Sequence, residues 1–101
     1  MTSNTIYKFK GKVWVWQGEG AWHFVSLPKD KSTGIRKLYH GLTGGFGSLP
    51  VKVTIGKTTW KTSIFPESKA GQYMLPLKKD VRKAENFSEG DVITYKIQVL
   101  I

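Results

Sequence analysis

Lys78, Lys79, Arg82 and Lys83 fall within six consecutive positions of a 101-residue chain. On a helix Lys78 would stack over Arg82 and Lys79 over Lys83, like-charge pairs that each cost about 0.2–0.5 kcal/mol. Phosphate oxygens relieve such repulsion through charge-assisted hydrogen bonds, best made by the fork of Arg82. Arg36 and Lys37 form a second basic pair earlier in the chain. A solvated face, with Arg82 stacked on a tryptophan or paired with Asp80 or Asp91, accounts for the same residues without a ligand. The charge balance feeds both expectations: 16 Lys and Arg against 7 Asp and Glu give a formal +9. Such an excess favours nucleic acid or another acidic partner, and it equally describes a lysine-rich surface.

Other chemistries find less support. Cysteine is absent, which excludes disulfides, thiolate catalysis and Cys-bearing zinc sites. His23 and His40 are the only histidines, one in a predicted strand and one at a predicted helix end, and no carboxylate is placed beside either. No catalytic residue, metal ligand or cofactor is expected, and the chain reads as a non-enzyme. The glycines of "HGLTGGFGS" lack the Lys-Ser/Thr ending of a phosphate loop, so they predict a crossover with positive-φ turns at Gly44, Gly45 or Gly47. Lys8, Lys10 and Lys12 alternate with aromatics ahead of Trp14 and Trp16, a pattern that can grip single strands. Four tryptophans in so small a chain are nevertheless expected mainly as core filling and barrel-end caps. Trp14, Trp60, Ser63 and Tyr73 are the candidates for lining a barrel mouth that admits a small ligand.

The elements that must position these residues are mostly strands. "IYKFKGKVWVWQ" and "AWHFVSL" predict a hairpin turning at "GEG", with a bulge near Gly11 to reconcile apolar residues on both faces. Pro28 ends that hairpin, and Ser32 or Thr33 is expected to cap a short helix carrying Ile35, Leu38 and Tyr39. Val51, Val53 and Ile55 alternate with polar residues, and Gly56-Lys57 predicts a tight turn into "TTWKTSIF". After a loop over residues 66–71 and the strand "QYMLPL", "KKDVRKAENF" predicts two helical turns buried through Leu77, Val81 and Ala84, with Asn86 as the C-terminal cap. Ile93, Tyr95, Ile97, Val99 and Ile101 give the clearest period-two strand.

The order strand, strand, Leu-Pro, helix, strand occurs twice, in "SLPKDKSTGIRK" and "MLPLKKDVRK", with Val51 and Val92 each five residues after a phenylalanine. Such self-similarity is the mark of a duplicated β-β-α-β unit, in which Arg36 and Arg82 would occupy equivalent corners.

"KFKGKVWVWQGEGAWHFVSLP", "GGFGSLPVKVTIGKTTWKTSIFP" and "GQYMLPLKKDVRKAENFSEGDVITYKI" together resemble a family of small bacterial and archaeal domains of unknown function, sometimes fused to a bacteriocin-protection (OmpD-associated) domain. The resemblance runs from Phe9 to Val99. It implies a double-split β-barrel, fold kin of the AbrB-type transcription factors, and the Leu-Pro, Val-Arg and Gly-Asp-x-Ile order of residues 75–93 is shared with those DNA binders.

The expectation is thus a single mainly β domain over residues 1–101: a double-split barrel of about six strands with two short capping helices, monomeric or weakly dimeric. No run is long enough to span a bilayer and the first residues lack a secretory apolar stretch, which predicts a cytoplasmic protein without membrane contact. Its expected function is polyanion or nucleic-acid binding through Lys78, Lys79, Arg82, Lys83, Arg36 and Lys37. The alternative is an accessory module that binds a protein or small ligand.

Overall fold

The computed structural model describes residues 5–39, 41, 47–67 and 71–100. Among these, seven strands run in the order β1 (Ile6–Lys12), β2 (Trp14–Val15), β3 (His23–Ser26), β4 (Leu49–Ile55), β5 (Thr58–Glu67), β6 (Gln72–Pro76) and β7 (Val92–Val99). Helix α1 (Lys29–Leu38) lies between β3 and β4, and α2 (Lys79–Ala84) between β6 and β7. All strand pairs are antiparallel, in the order β1-β7-β4-β5-β6-β3-β2. The result is a mainly β fold, a curled half-barrel with two short helices. Its curl follows from two strands that change neighbours. β5 pairs with β4 as far as Ile64 and with β6 from Phe65, and Val13 alone separates β1 on one flank from β2 on the other.

Alternation builds the core. Every second residue of β4 and β7, from Leu49 to Ile55 and from Ile93 to Val99, is buried, while Lys52, Thr94 and Lys96 face out. Phe9, Val25, Ile64, Tyr73 and Leu75 close the interior from the remaining strands, with Leu27, Ile35, Leu77 and Val81 added from the helices and the segments leading into them. The Gly56-Lys57 turn forms as expected, with Gly56 at φ 57, and Asn86 takes the left-handed conformation at φ 55 just beyond the Glu85 cap of α2.

Several expectations are corrected. Gly11 is no bulge: β1 stays in register with β7 from Ile6 to Lys12, and the break falls at Val13, whose N–H donates to Asp91 O at 2.9 Å. Gly11 is small because β3 passes over it; a Cβ there would lie 2.7 Å from Val25 Cγ2. Ser32 and Thr33 do not cap α1, which starts from Pro28; Thr33 Oγ1 donates to Lys29 O inside the helix, and Ser32 is fully buried. Leu38 and Ala84 are exposed, and Pro66 lies within β5 rather than in a loop. No tryptophan belongs to the buried core: Trp14 and Trp60 are half-buried, while Trp16 and Trp22 are exposed. His40, Gly44 and Gly45 lie outside the described residues, whereas Gly47 has the expected positive φ, 73°. No helix among the described residues is long and apolar enough to cross a membrane.

Candidate functional site

The backbone pairing of β3 with β6 brings three distant segments together. Leu77 N–H donates to His23 O at 2.9 Å, so the chain entering α2 lies beside the start of β3. Lys78 then caps α2 in extended backbone, and the helix carries Lys79 and Arg82 past β5. Its far end is held by Thr58 Oγ1, which donates to Glu85 Oε2 at 2.6 Å. Between these elements opens a pocket of about 370 Å³. Trp22 and His23 line it from the β3 side, Trp60, Lys61 and Thr62 from β5, and Leu77, Lys78, Lys79 and Arg82 from the α2 side. Gly20, Ala21 and Pro76 complete the lining; Lys78, Lys79 and Arg82 bring cations from the α2 side, Lys61 borders it from β5, and no carboxylate lines it.

Arg82 is anchored at both ends of its guanidinium. Nε–H donates to Leu77 O at 3.0 Å, and Nη1–H approaches His23 Nε2 at 3.4 Å. An arginine has donors only, so His23 Nε2 must accept and its Nδ1 carries the hydrogen, which it donates to Ala21 O at 2.8 Å. Through this contact His23 holds Arg82 across the pocket. These bonds use two N–H groups of a fork that has about five, leaving the others for a ligand. The expected stacking of Arg82 on a tryptophan, or its pairing with Asp80 or Asp91, gives way to this arrangement. Asp91 instead accepts the Ser88 N–H at 2.9 Å.

The predicted site residues separate into groups. Lys78, Lys79 and Arg82 meet in the pocket together with Trp60. Lys83 is exposed and outside its lining. Arg36 and Lys37 end α1 away from that lining, with the Arg36 guanidinium 5.8 Å from the centroid of the Tyr73 ring. Tyr73 is a core residue, 1% exposed, whose N–H donates to Ser32 Oγ at 3.0 Å, so it lines no opening. Ser63 sits half-buried opposite Pro50, and Trp14 donates Nε1–H to Ser26 Oγ at 2.9 Å while packing on Phe24. Neither lines the pocket.

Sequence reasoning missed Trp22, His23 and Lys61 as pocket residues. The pocket is assembled from residues 20–23, 60–62 and 76–82, and no local spacing connects those stretches. Among the described residues no three His, Asp or Glu side chains gather as a metal site. The perturbed ionisations belong to core Tyr95 and to half-buried Tyr7 packed against the core. Burial, and then Tyr39 beside it, push Tyr7 up, and burial pushes Tyr95 up strongly.

Fold and site together define a small, mainly β domain that carries a cation-lined, tryptophan-flanked pocket. The chain belongs to the family described as Domain of unknown function (DUF1905), whose match covers residues 9–97. No curated protein matches it.

Proposed function

We propose that this domain binds a nucleic-acid strand, seating a base against Trp60 or Trp22 and the adjoining phosphate on Arg82, Lys78 and Lys79. The observation that carries the reading is that Lys78, Lys79 and Arg82 line, together with Trp22 and Trp60, one opening whose lining has no carboxylate. Indole faces stack bases of any sequence, and a pre-anchored guanidinium binds phosphate without first losing its rotamer freedom. Such a partner fits a cytoplasmic protein that acts by binding rather than by catalysis.

The pocket's size favours a second reading, a small anionic ligand bound by an accessory module, because about 370 Å³ matches a small-molecule site.

The proposal extends to the architecture, a double-split barrel made from two β-β-α-β units. Reciprocal hydrogen bonds support it: Leu27 N–H donates to Tyr73 O as Leu77 N–H donates to His23 O. This symmetry equates Leu27 with Leu77 and replaces the Leu27/Leu75 correspondence of the sequence pattern. It likewise sets Arg82 opposite Ser32 rather than Arg36, since both side chains reach back to the matching leucine carbonyl. Val51 and Val92 cease to correspond, one being buried and the other exposed.

Fluorescence anisotropy with labelled single-stranded DNA and RNA across a salt series tests the nucleic-acid reading. Micromolar binding with a steep salt slope, lost in Trp60→Ala and in Arg82→Gln combined with Lys78→Gln, is the expected result. Absence of binding at low salt, or binding indifferent to these substitutions, refutes it; displacement of a small anion alone selects the second reading.

A further inference from the structure

The outer face of β1, β7, β4 and the first part of β5 carries lysines and no carboxylate. Direct pairing fixes which residues share it. Lys8 lies opposite Lys96, which lies opposite Thr54, which lies opposite Thr59; in the next row Gln98 is flanked by Ile6 and Lys52, and Lys52 faces Lys61. Lys10 and Lys12 extend the same face along β1. All six of these lysines are exposed. None of the seven acidic residues occupies an outward position here: Glu19, Asp30, Asp80, Glu85, Glu89 and Asp91 lie outside the four strands, and Glu67 ends β5 where it pairs with β6.

Two of the contacts are lysine directly against lysine, Lys8 with Lys96 and Lys52 with Lys61. Like charges in direct opposition destabilise a sheet, so the stability of the finished sheet does not account for this arrangement. A polyanion laid across the face turns both repulsions into attractions. Lys61 also lines the tryptophan-flanked pocket, while Lys52 and Lys96 border a shallow groove of about 250 Å³ on the sheet. Lys61 itself faces outward with Lys52 while its neighbour Trp60 lies on the other face, so the two cationic regions adjoin at the edge of β5, which pairs with β6 only from Phe65.

We propose that a nucleic-acid strand seated in the pocket leaves it over Lys61 and continues across this face, its phosphates passing Lys52, Lys96 and Lys8. This deepens the nucleic-acid reading and rests on it. Four strands span about 14 Å at their usual separation, roughly four phosphates of a stacked strand at about 3.4 Å each. The pocket then supplies stacking, and the sheet supplies contacts to the backbone that are independent of sequence.

Oligothymidines of about four and about fifteen nucleotides, a range that brackets common single-strand site sizes, separate the two regions when titrated with the whole protein across salt. The face variant combines Lys8→Gln, Lys52→Gln and Lys96→Gln; the pocket variant is Trp60→Ala. The face variant should bind the long oligomer at least about tenfold more weakly at low salt, with a salt slope shallower by roughly 2 for three lost contacts. It should bind the short oligomer as the parent does, and melt no lower than the parent because it removes opposed charges. Unchanged affinity and slope for the long oligomer in the face variant, with both oligomers weakened in the pocket variant, overturns the path across the sheet and leaves the pocket reading standing. Loss in the face variant alone supports the face and removes the pocket. Binding of the face to vesicles rich in anionic lipid, with no binding of either oligomer, overturns the proposal in favour of a membrane surface.

Discussion

Replacing Gly11 with alanine tests how closely β3 passes over β1. The new Cβ would sit 2.7 Å from Val25 Cγ2 and 3.6 Å from Ser26 O. Val25 is fully buried and β-branched, so its methyl has no free rotamer into which to retreat. Overpacking of this kind costs about 1–3 kcal/mol. Gly11 is not among the positive-φ glycines, so alanine fits its backbone and returns about 0.4–1 kcal/mol by restricting the unfolded chain. The two ranges leave a net loss centred on about 1.3 kcal/mol, which lowers Tm by roughly 5–10 °C in a domain of this size. Urea titration and thermal denaturation followed by circular dichroism measure it. Val25→Ala alone is destabilising through the cavity it leaves, but in the double variant it removes the clashing methyl, so the two effects should fall short of additivity by about 1 kcal/mol. A Gly11→Ala protein as stable as the parent, or strict additivity in the double variant, would falsify the close approach and restore the glycine as a point of slack in the strand.

The Tyr95 hydroxyl is buried with no hydrogen-bond partner among the described residues, so Tyr95→Phe should raise stability by about 1 kcal/mol in urea denaturation. Burial also raises the ionisation of Tyr95 above the usual tyrosine range. The unfolded chain therefore loses that proton first, near pH 10, and stability is intact below this pH and falls above it. Melts from pH 8 to 11 should show a shallower alkaline loss in Tyr95→Phe than in the parent. Thr58→Val removes the hydroxyl that donates to the Glu85 carboxylate, and should cost about 1–3 kcal/mol while increasing amide hydrogen exchange in α2.

Elements with one wet and one dry face were legible as alternation. β4 and β7 bury every second residue because one face packs on the core, and the period survives in Val51, Val53 and Ile55 and again in Ile93, Tyr95 and Ile97. Backbone demands were legible too, as Gly56 in its turn and Asn86 beyond α2 show. What failed depended on contacts between distant residues. Ser32 has the composition of an N-cap, but its hydroxyl is taken up by the amide of Tyr73, far along the chain, inside the core. Gly11 resembles a bulge residue until Val25 is placed above it. The basic run around Arg82 was visible, but its partner His23 was not, because that bond exists only once β3 and β6 have paired. The lysines of the sheet face were visible singly; their head-on opposition is a matter of register, which alternation alone leaves open.

β7 lies between β1 and β4 in the sheet, although both precede it in the chain. During synthesis the β4–β5 hairpin can zip through a turn of two residues, whereas β1 must wait for Gln98 to meet Ile6. Until then two ladders stand open, along β1 and along β4, each a row of unsatisfied backbone groups able to recruit a foreign strand. The domain thus completes itself late and all together, as expected of a topology dominated by pairings distant in the chain. The lysines studding β1 and β4 guard those open edges meanwhile, repelling neighbouring copies of the chain before there is any finished surface for a ligand to find.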